Sequence, residues 1–303
     1  MIIKNADDKT TQIAELESYL ADPHLASSKK ILIEKELIMV RAGLKGEREA
    51  GYEIDFNYGT SEHHAVIHDL RLECGGRVAQ IDHLVINRLL EIFILETKHF
   101  AEGVSVNEHG EFTAWYGGRP KGIPSPFEQN MRHVRVMQEV LDTLIHRPTR
   151  LGVQLPISLE PVVLVSKHAR VGRPKGYDTS RLIKADQLVT WCNRHADALT
   201  VLSMWKVVSM DTVASLAKQL AALHVPMYPN YRAKFGLDDS ELAPKMEDEP
   251  SRLAKDPAAS PNKEPVRCKQ CDAPVSYPVI KFCRLNKSRF GGDVYCQSCQ
   301  KEH

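Results

Sequence analysis

The sequence predicts a mixed α/β protein with a small cysteine-rich module at its C-terminal end. Two stretches, residues 78–87 and 91–98, have apolar residues on both alternating faces, which is typical of strands in a sheet that is covered on both sides. Helical patterns precede and follow them, as expected of an α/β domain. Five of the 7 cysteines lie at or after residue 268, and this clustering indicates metal binding in a reducing compartment.

The chain divides by composition into four predicted regions. Residues 1–42 form a helical N-terminal segment, and residues 43–236 form the α/β domain with a C-terminal extension. Residues 237–265 contain five prolines, eight acidic and four basic residues, a composition typical of a flexible linker. Residues 266–303 form the cysteine-rich module.

Membrane insertion and export are not expected from the composition. No apolar run approaches the roughly 18 to 20 residues that a membrane-spanning helix needs. The N-terminus lacks a basic start followed by an apolar stretch, so we expect a cytoplasmic protein without a membrane partner. The formal net charge is only +1, and affinity for a polyanion therefore has to come from local basic patches. The sequence gives no prediction of the oligomeric state.

The first helix of the α/β domain is expected to begin at Gly46. Glu47 then lies, with Ala50 and Ile54, on the face that packs inward. A glutamate in the first turn is also favoured by the helix macrodipole alone, without any further role.

The two strands are separated by only a few residues, so we expect them to pair as an antiparallel hairpin centred on Leu89. In that register Asp82 lies opposite Glu96, and Gln80 lies opposite Lys98. Side chains alternate along a strand, and Glu96 and Lys98 therefore share one face. Four polar side chains are predicted to form one patch at the end of the hairpin.

Two carboxylates side by side in a partly buried sheet repel each other unless a cation lies between them. A divalent ion resolves the conflict, because Mg²⁺ takes oxygen ligands from one or two carboxylates, from water and from phosphate. Lys98 would then position the attacking water or stabilise developing charge. The alternative is an ordinary cross-strand salt bridge among Asp82, Glu96 and Lys98, and a one-residue slip of register would separate these side chains altogether.

A second helix is expected to start at Pro126, because Ser125 and Glu128 form a capping box around it. Gln129 lies in the first turn of this helix, from which it could reach the carboxylate pair or a phosphate. The expected core stripe of the helix consists of Met131, Val134, Val140, Leu141 and Leu144.

These motifs together resemble those of a known family. They are Gly46 with Glu47 at a helix start, residues 79–86, residues 94–98, and residues 126–129, in this order. The sequence resembles the nuclease-related domain (NERD), a branch of the PD-(D/E)xK nuclease superfamily, over about residues 43–145. Members of the family usually have a glycine in the hairpin turn, where this chain has arginine and two leucines.

The resemblance implies a restriction-endonuclease-like mixed sheet flanked by helices, and a metal-dependent hydrolase that cleaves phosphodiester bonds, with DNA as the expected substrate. By resemblance, Asp82 and Glu96 are ligands of Mg²⁺ or Mn²⁺, and Lys98 is the catalytic lysine. An acid on the first helix often completes the metal shell in the superfamily, a role for Glu47 or, as the weaker candidate, Glu49. The competing prediction is an adaptor that binds nucleic acid on a nuclease fold and does not cut, or cuts only with a partner protein.

The cysteine-rich module contains two Cys-x-x-Cys pairs, Cys268 with Cys271 and Cys296 with Cys299, which predict a tetrahedral structural Zn²⁺ site. A segment of this size cannot fold by core burial alone, so zinc would supply its folding energy. The segment resembles the C-terminal four-cysteine zinc fingers of bacterial type I topoisomerases, which bind single-stranded DNA. Cys283 is expected to be a buried thiol or a spare ligand.

Several basic residues are candidate contacts to nucleic acid. A glycine-rich loop presents Arg119 and Lys121, and a second basic loop spans residues 167–175. The zinc module adds Arg284, Lys287 and Arg289. Aromatic residues lie near these three in sequence, and they could stack on bases or form the core of the module.

Overall fold

The computed structural model describes residues 1–197, 207–237, 266–275, 279–280, 283, 287–296 and 298–301. The chain forms two compact units, Met1–Pro244 and Lys245–His303. The predicted linker, apart from Leu237, lies outside the described residues. Among the helices that the structure describes, none has the length and apolar composition needed to cross a membrane.

The first unit alternates strands and helices. In chain order its elements are β1 (Ile2–Lys4), α1 (Thr10–Ala21), α2 (Ser27–Tyr58), β2 (His64–Cys74), β3 (Arg77–Asn87), β4 (Glu91–Lys98), β5 (Gly103–Val106), β6 (Phe112–Tyr116), β7 (Arg119–Ile123), α3 (Pro126–Thr143), β8 (Thr149–Arg150), β9 (Val153–Gln154), β10 (Ser158–Val165), β11 (Arg170–Gly172), β12 (Leu182–Lys184), α4 (Leu188–Asp197), α5 (Met210–Ala222) and α6 (Tyr231–Phe235).

The main sheet has six strands in the order β1-β2-β3-β4-β10-β12. Strands β2, β3 and β4 are antiparallel, whereas β1 runs parallel to β2, and β10 runs parallel to both β4 and β12. A second sheet has the order β11-β5-β6-β7. The predicted mixed α/β architecture is therefore confirmed.

Helices cover both faces of the main sheet. Ile92 and Ile94 of β4 pack in a core with residues of α3 and α5. The alternate residues Phe93 and Leu95 pack with residues of α2 and α4. Both faces of β4 are thus dry, which explains the continuous apolar sequence of this strand.

The β3–β4 hairpin has the predicted register, because Leu84 pairs with Ile94 and His83 pairs with Leu95. The pairing stops there, and neither the predicted pair of Asp82 with Glu96 nor that of Gln80 with Lys98 forms in the ladder. On the other edge of β3, Gln80 still pairs with Arg71 of β2, so β3 stays with β2 while β4 separates from it.

The turn of the hairpin does without glycine. Leu90 takes a positive φ of 58° and is fully buried. The side-chain oxygen of Asn87 accepts the backbone N–H groups of Leu89 and Glu91, at 2.9 and 3.1 Å. An asparagine just before the turn thus organises the loop.

Helix α2 corrects the prediction that a helix opens at Gly46. It runs unbroken for 32 residues, and the predicted boundary between residues 42 and 43 falls inside it. Its N-terminal half packs Ile33 and Leu37 against α1 and α6, and its C-terminal half packs Ala50 and Ile54 against the sheet. Burial at both ends outweighs the roughly 1 kcal/mol that each internal glycine costs a helix.

Helix α3 begins at Pro126 as predicted, and Ser125 Oγ accepts the Glu128 N–H at 3.3 Å. Its predicted core stripe is partly wrong, because Met131 and Leu144 are exposed. The buried face instead includes the polar Asn130 and His133. Asn130 packs inward because its side-chain amide donates to backbone carbonyls of the sheet.

Candidate functional site

The carboxylate of Asp82 lies where β3 and β4 separate. Its Oδ2 accepts the backbone N–H of Thr97 at 2.7 Å. Because Thr97 follows Glu96 in β4, this hydrogen bond holds Asp82 beside this part of β4, one position beyond the last pair of the ladder, His83 with Leu95. The two acids therefore come from adjacent strands, as the sequence predicted.

Glu96 is almost completely buried, with a side chain only 2% exposed. Its Oε1 lies 2.6 Å from the Nζ of Lys98, two residues along the same strand. Its Oε2 has no hydrogen-bond partner and lies 3.4 Å from His133 Nδ1. His133 Nδ1 also has no hydrogen-bond partner. Two buried polar atoms with free hydrogen-bonding capacity thus face each other beside the ion pair.

The position of α3 against the sheet is set by Asn130. Its Nδ2 donates to the carbonyl oxygens of Ile94 in β4 and Val162 in β10, at 2.9 and 3.0 Å. These bonds hold the first turns of α3 over β4, and His133 follows on the same helix. Asn130 therefore acts on the site through the placement of His133.

Glu47 reaches the site because Gly46 lets α2 approach the chain just after Lys98. A Cβ at Gly46 would lie only 2.9 Å from the Cβ of His99. The Glu47 carboxylate is 26% exposed, and its Oε2 lies 2.8 Å from the Nζ of Lys9. Glu49 points elsewhere and accepts a hydrogen bond from Ser166.

The three acids act on each other electrostatically. Burial raises the pKa of Asp82 well above its ordinary value, and the charges of Glu96 and Glu47 raise it further, against the Thr97 N–H and Lys98. Burial also raises the pKa of Glu96, although Lys98 opposes this shift. Such shifts show that the site disfavours adjacent negative charges and would gain from a bound cation.

The donor set suits a hard divalent ion, but the acids are not gathered into a finished metal shell. Among the described residues, only a cysteine cluster brings three or more possible ligand atoms within 4.8 Å of one another. Glu47 and Asp82 line a cavity of about 490 Å³, and Glu96 and Lys98 are not part of its lining. The orphaned Oε2 of Glu96 and the raised pKa of Asp82 are the observations that fit a cation here.

Two charged residues of the site had no signal in the sequence. Lys9 precedes α1, yet its Nζ contacts Glu47 and lies 3.5 Å from Asp69 Oδ2. Burial alone would lower the pKa of Lys9, but the charges of Glu47, Asp69 and Asp82 raise it. Asp69 is buried, has a positive φ of 51°, and lies opposite Asp82 where the pairing of β2 with β3 is interrupted.

A pair of buried histidines lies next to the acids. His68 Nδ1 and His83 Nδ1 are 2.7 Å apart, and His68 Nε2 lies 2.9 Å from Asp55 Oδ1. Burial and the neighbouring His68 lower the pKa of His83 to about 3. Burial, with Lys98 and Arg132, likewise lowers the pKa of His133 to about 4. Both His83 and His133 are therefore neutral at physiological pH.

Three further predicted residues form no hydrogen bond or ion pair with the acids in the part of the chain that the structure describes. Gln129 is partly buried in the first turn of α3, one turn before His133, and makes no hydrogen bond to Asp82 or Glu96. Arg119 and Lys121 are exposed on β7, at the edge of the second sheet. Their predicted contacts to nucleic acid stay predictions.

The second unit contains the cysteine cluster. Cys268, Cys271, Cys296 and Cys299 each place a sulfur within 4.8 Å of the others, so that they could hold a metal such as zinc. The backbone N–H of Cys296 donates to Cys268 Sγ at 3.2 Å and lowers the pKa of that thiol to about 6. Cys283 is buried outside the cluster, where its sulfur accepts Gln300 Nε2 at 3.2 Å.

The predicted basic contacts of this unit are only partly described. Arg284 and the side chain of Lys287 lie outside the described residues, although the backbone of Lys287 begins the short helix α7 (Lys287–Phe290). Arg289 is exposed, and its guanidinium lies 5.1 Å from the centre of the Phe290 ring, which is buried. Phe290 therefore belongs to the core of the module.

The chain was compared with known families, curated proteins and solved structures. No curated protein and no solved structure matches it significantly. Residues 42–166 match the family model of the nuclease-related domain, and this match spans β2, β3 and β4 with all three acids and Lys98. The segment that contributes Glu47, Asp82, Glu96 and Lys98 to the candidate site is therefore similar to the nuclease-related domain (NERD).

Proposed function

We propose that the protein is a metal-dependent nuclease that hydrolyses phosphodiester bonds in DNA. The observation that carries the proposal is that Asp82 and Glu96 lie on adjacent strands where these separate, with the Asp82 carboxylate on the Thr97 N–H and the Lys98 ammonium in contact with Glu96. The match to the nuclease-related domain supports the same class of activity.

Mg²⁺ or Mn²⁺ would be held by Asp82 and Glu96, with Glu47 as a third acid. When bound, such an ion polarises the phosphoryl oxygen and lowers the pKa of a coordinated water. The Oδ2 of Asp82 accepts the N–H of Thr97, and this bond orients the carboxylate. The Oε2 of Glu96 has no hydrogen-bond partner. The free hydrogen-bonding capacity of Glu96 Oε2 is the property that a metal ligand needs.

Lys98 supplies a positive charge that is already in place. Its ammonium is held by Glu96 at 2.6 Å and is 30% exposed, so a phosphate can approach it from solvent. In this position it can orient the attacking water or stabilise the negative charge that develops on the phosphate. Neutral His133 on the other side of Glu96 adds no competing positive charge.

The cysteine module would hold substrate near the nuclease-related domain. With zinc on its four cysteines, the module would present Arg289, and by prediction Arg284 and Lys287, to the phosphate backbone. A tether between two binding units raises the local concentration of substrate without a new contact.

The test is cleavage of plasmid and linear DNA by the purified full-length protein with Mg²⁺ or Mn²⁺. Lys98→Met and Asp82→Asn should each abolish cleavage, whereas Lys218→Met should leave it unchanged, because Lys218 is exposed on α5 away from the acids. Cleavage that persists in the first two variants would reject the proposal. Matched DNA and RNA oligonucleotides show which nucleic acid is cut.

One observation favours the adaptor function as the second candidate. Lys9 and Lys98 already neutralise Glu47 and Glu96, and the carboxylates are not gathered around one point. Salt-dependent DNA binding that needs no divalent ion, together with the absence of cleavage under every ion, would establish this alternative.

A further inference from the structure

One face of α2 carries a continuous stripe of cationic and aromatic side chains. We call it the α2 stripe: Arg41, Lys45, Arg48, Tyr52 and Phe56. The spacings of three and four residues place all five on one side of the helix. The core residues of α2, such as Ile54, lie on another side.

The two aromatic residues of the stripe are exposed without a structural reason. Tyr52 is 65% exposed and Phe56 is 74% exposed. Their rings stack on each other, with centroids 6.2 Å apart and planes inclined by 27°. Neither belongs to a hydrophobic core of the described residues. Two neighbouring exposed rings form an apolar platform, and such a platform usually marks a binding surface.

The stripe borders a groove of about 540 Å³ with a positive lining. Arg41, Lys45 and Arg48 line it together with Lys167, which follows β10. The acids in the lining are Glu49 and Glu53, which approach Lys45 at 3.9 Å and Lys167 at 3.4 Å. Four basic residues against two acidic ones leave an excess of positive charge in the lining, which persists although Arg41 also pairs with Glu17 outside it. The groove is therefore complementary to a polyanion.

The groove continues into the candidate site. Leu44, Arg48 and Tyr52 line both this groove and the cavity that contains Glu47 and Asp82. A strand that lies along the α2 stripe would thus pass to Glu47 and Asp82, the two acids of the candidate site that line this cavity. The predicted contacts on β7 have no such connection in the lining of either cavity.

We propose that the α2 stripe binds an unpaired strand of the DNA substrate and leads it to the acids; this inference rests on the proposed function. The cations would contact phosphates, and Tyr52 and Phe56 would stack on bases. Stacking requires bases that are not already inside a duplex, whereas cations alone would serve single and double strands alike. The aromatic platform is the feature that favours an unpaired strand.

The test measures binding of fluorescein-labelled single-stranded and duplex DNA of equal length to the full-length protein, in EDTA, by fluorescence anisotropy. Tyr52→Ala with Phe56→Ala should weaken single-strand binding by about tenfold or more, and duplex binding by much less. Arg41→Gln with Arg48→Gln should weaken both and reduce the dependence on salt. The control is Leu32→Ala with Met39→Ala, an exposed apolar pair on another side of α2, which should change neither.

The cysteine module could also bind DNA, so a second measurement identifies which residues contact the bound single strand. Single-stranded DNA that contains 5-iodouracil should photocrosslink to Tyr52 or Phe56, as mapped by mass spectrometry. Crosslinks confined to the cysteine module, or undiminished single-strand binding by the aromatic double variant, would overturn the inference. A further contrary result is possible. If the wild-type protein self-associates in sedimentation velocity, and the aromatic double variant loses this association but binds DNA as before, the stripe binds a second copy of the chain and the inference is overturned.

Binding and cleavage separate the two proposals. Strand binding through the stripe without cleavage would retain the inference and reject the nuclease function. Cleavage that is unaffected by loss of the aromatic pair, with unchanged binding, would retain the nuclease function and reject the inference.

Discussion

Gly46→Ala is expected to destabilise the protein, although alanine is the better helix former. Replacing an internal helical glycine by alanine normally adds about 1 kcal/mol of stability. At this position the new Cβ would lie 2.9 Å from the Cβ of His99 and 3.6 Å from its backbone N and Cα. These atoms cannot rotate away, and overpacking of this kind costs about 1–3 kcal/mol. The net expectation is a loss of up to about 2 kcal/mol.

Gly43→Ala is the matched control, because Gly43 lies in the same helix and a Cβ there would meet nothing within 4 Å. This variant should gain up to about 1 kcal/mol. Urea unfolding followed by circular dichroism measures both changes. The two variants should differ by about 1–3 kcal/mol, and equal stabilisation of both would refute the claim that α2 is held in close contact with His99.

The same comparison extends to activity. Gly46 precedes Glu47, and His99 follows Lys98, so a shift of α2 moves one charge of the site relative to another. Cleavage by Gly46→Ala should therefore fall, while cleavage by Gly43→Ala should stay at the wild-type rate.

Three further predictions concern charge and metal. In metal-free buffer, the Asp82→Asn variant should be more stable than the wild type at neutral pH and lose this advantage on acidification. The pKa of Asp82 is higher in the folded than in the unfolded state, so the folded wild type keeps its proton at acid pH and is stabilised there. This stabilisation of the wild type is lost as the pH rises. Urea midpoints that differ by the same amount at every pH would contradict this. The Lys9→Met variant should bind Mn²⁺ about tenfold more tightly than the wild type, because the ion is no longer repelled by the ammonium beside Glu47. Isothermal titration calorimetry measures this affinity, and weaker binding would mean that Lys9 supports the metal site. The purified protein should carry one zinc ion, kept in Cys283→Ser and lost in Cys268→Ser, as elemental analysis would show.

Local sequence signals were sufficient for the hairpin and the cysteine cluster. Two strands joined by a short turn have few possible registers, and centring the hairpin on Leu89 gave the one that pairs His83 with Leu95. The spacing of Cys268 and Cys271 likewise predicted a cluster that needs no knowledge of the rest of the chain.

Residues that reach the site from elsewhere could not be predicted in this way. Lys9 is brought to Glu47 by the packing of the N-terminal segment, and nothing in its local sequence marks it. His133 was missed because the first half of the predicted core stripe of α3, Met131 and Val134, lies one residue after the buried positions, although Val140 and Leu141 are buried as predicted. Its distance of four residues from Gln129 was the available signal. Asp69 was missed because a strand pattern does not reveal a break in alternation at a positive φ.

Leu90 gives the hairpin a fixed starting point for its pairing. A leucine with a left-handed backbone costs about 1–2 kcal/mol, whereas full burial of its side chain contributes about 1.5–3 kcal/mol. Sliding β4 by one position would draw this leucine out of the interior and keep the unfavourable backbone angle. The loop thus disfavours misaligned hairpins during folding. The alignment of the two acids therefore depends on a residue that has no chemical role of its own.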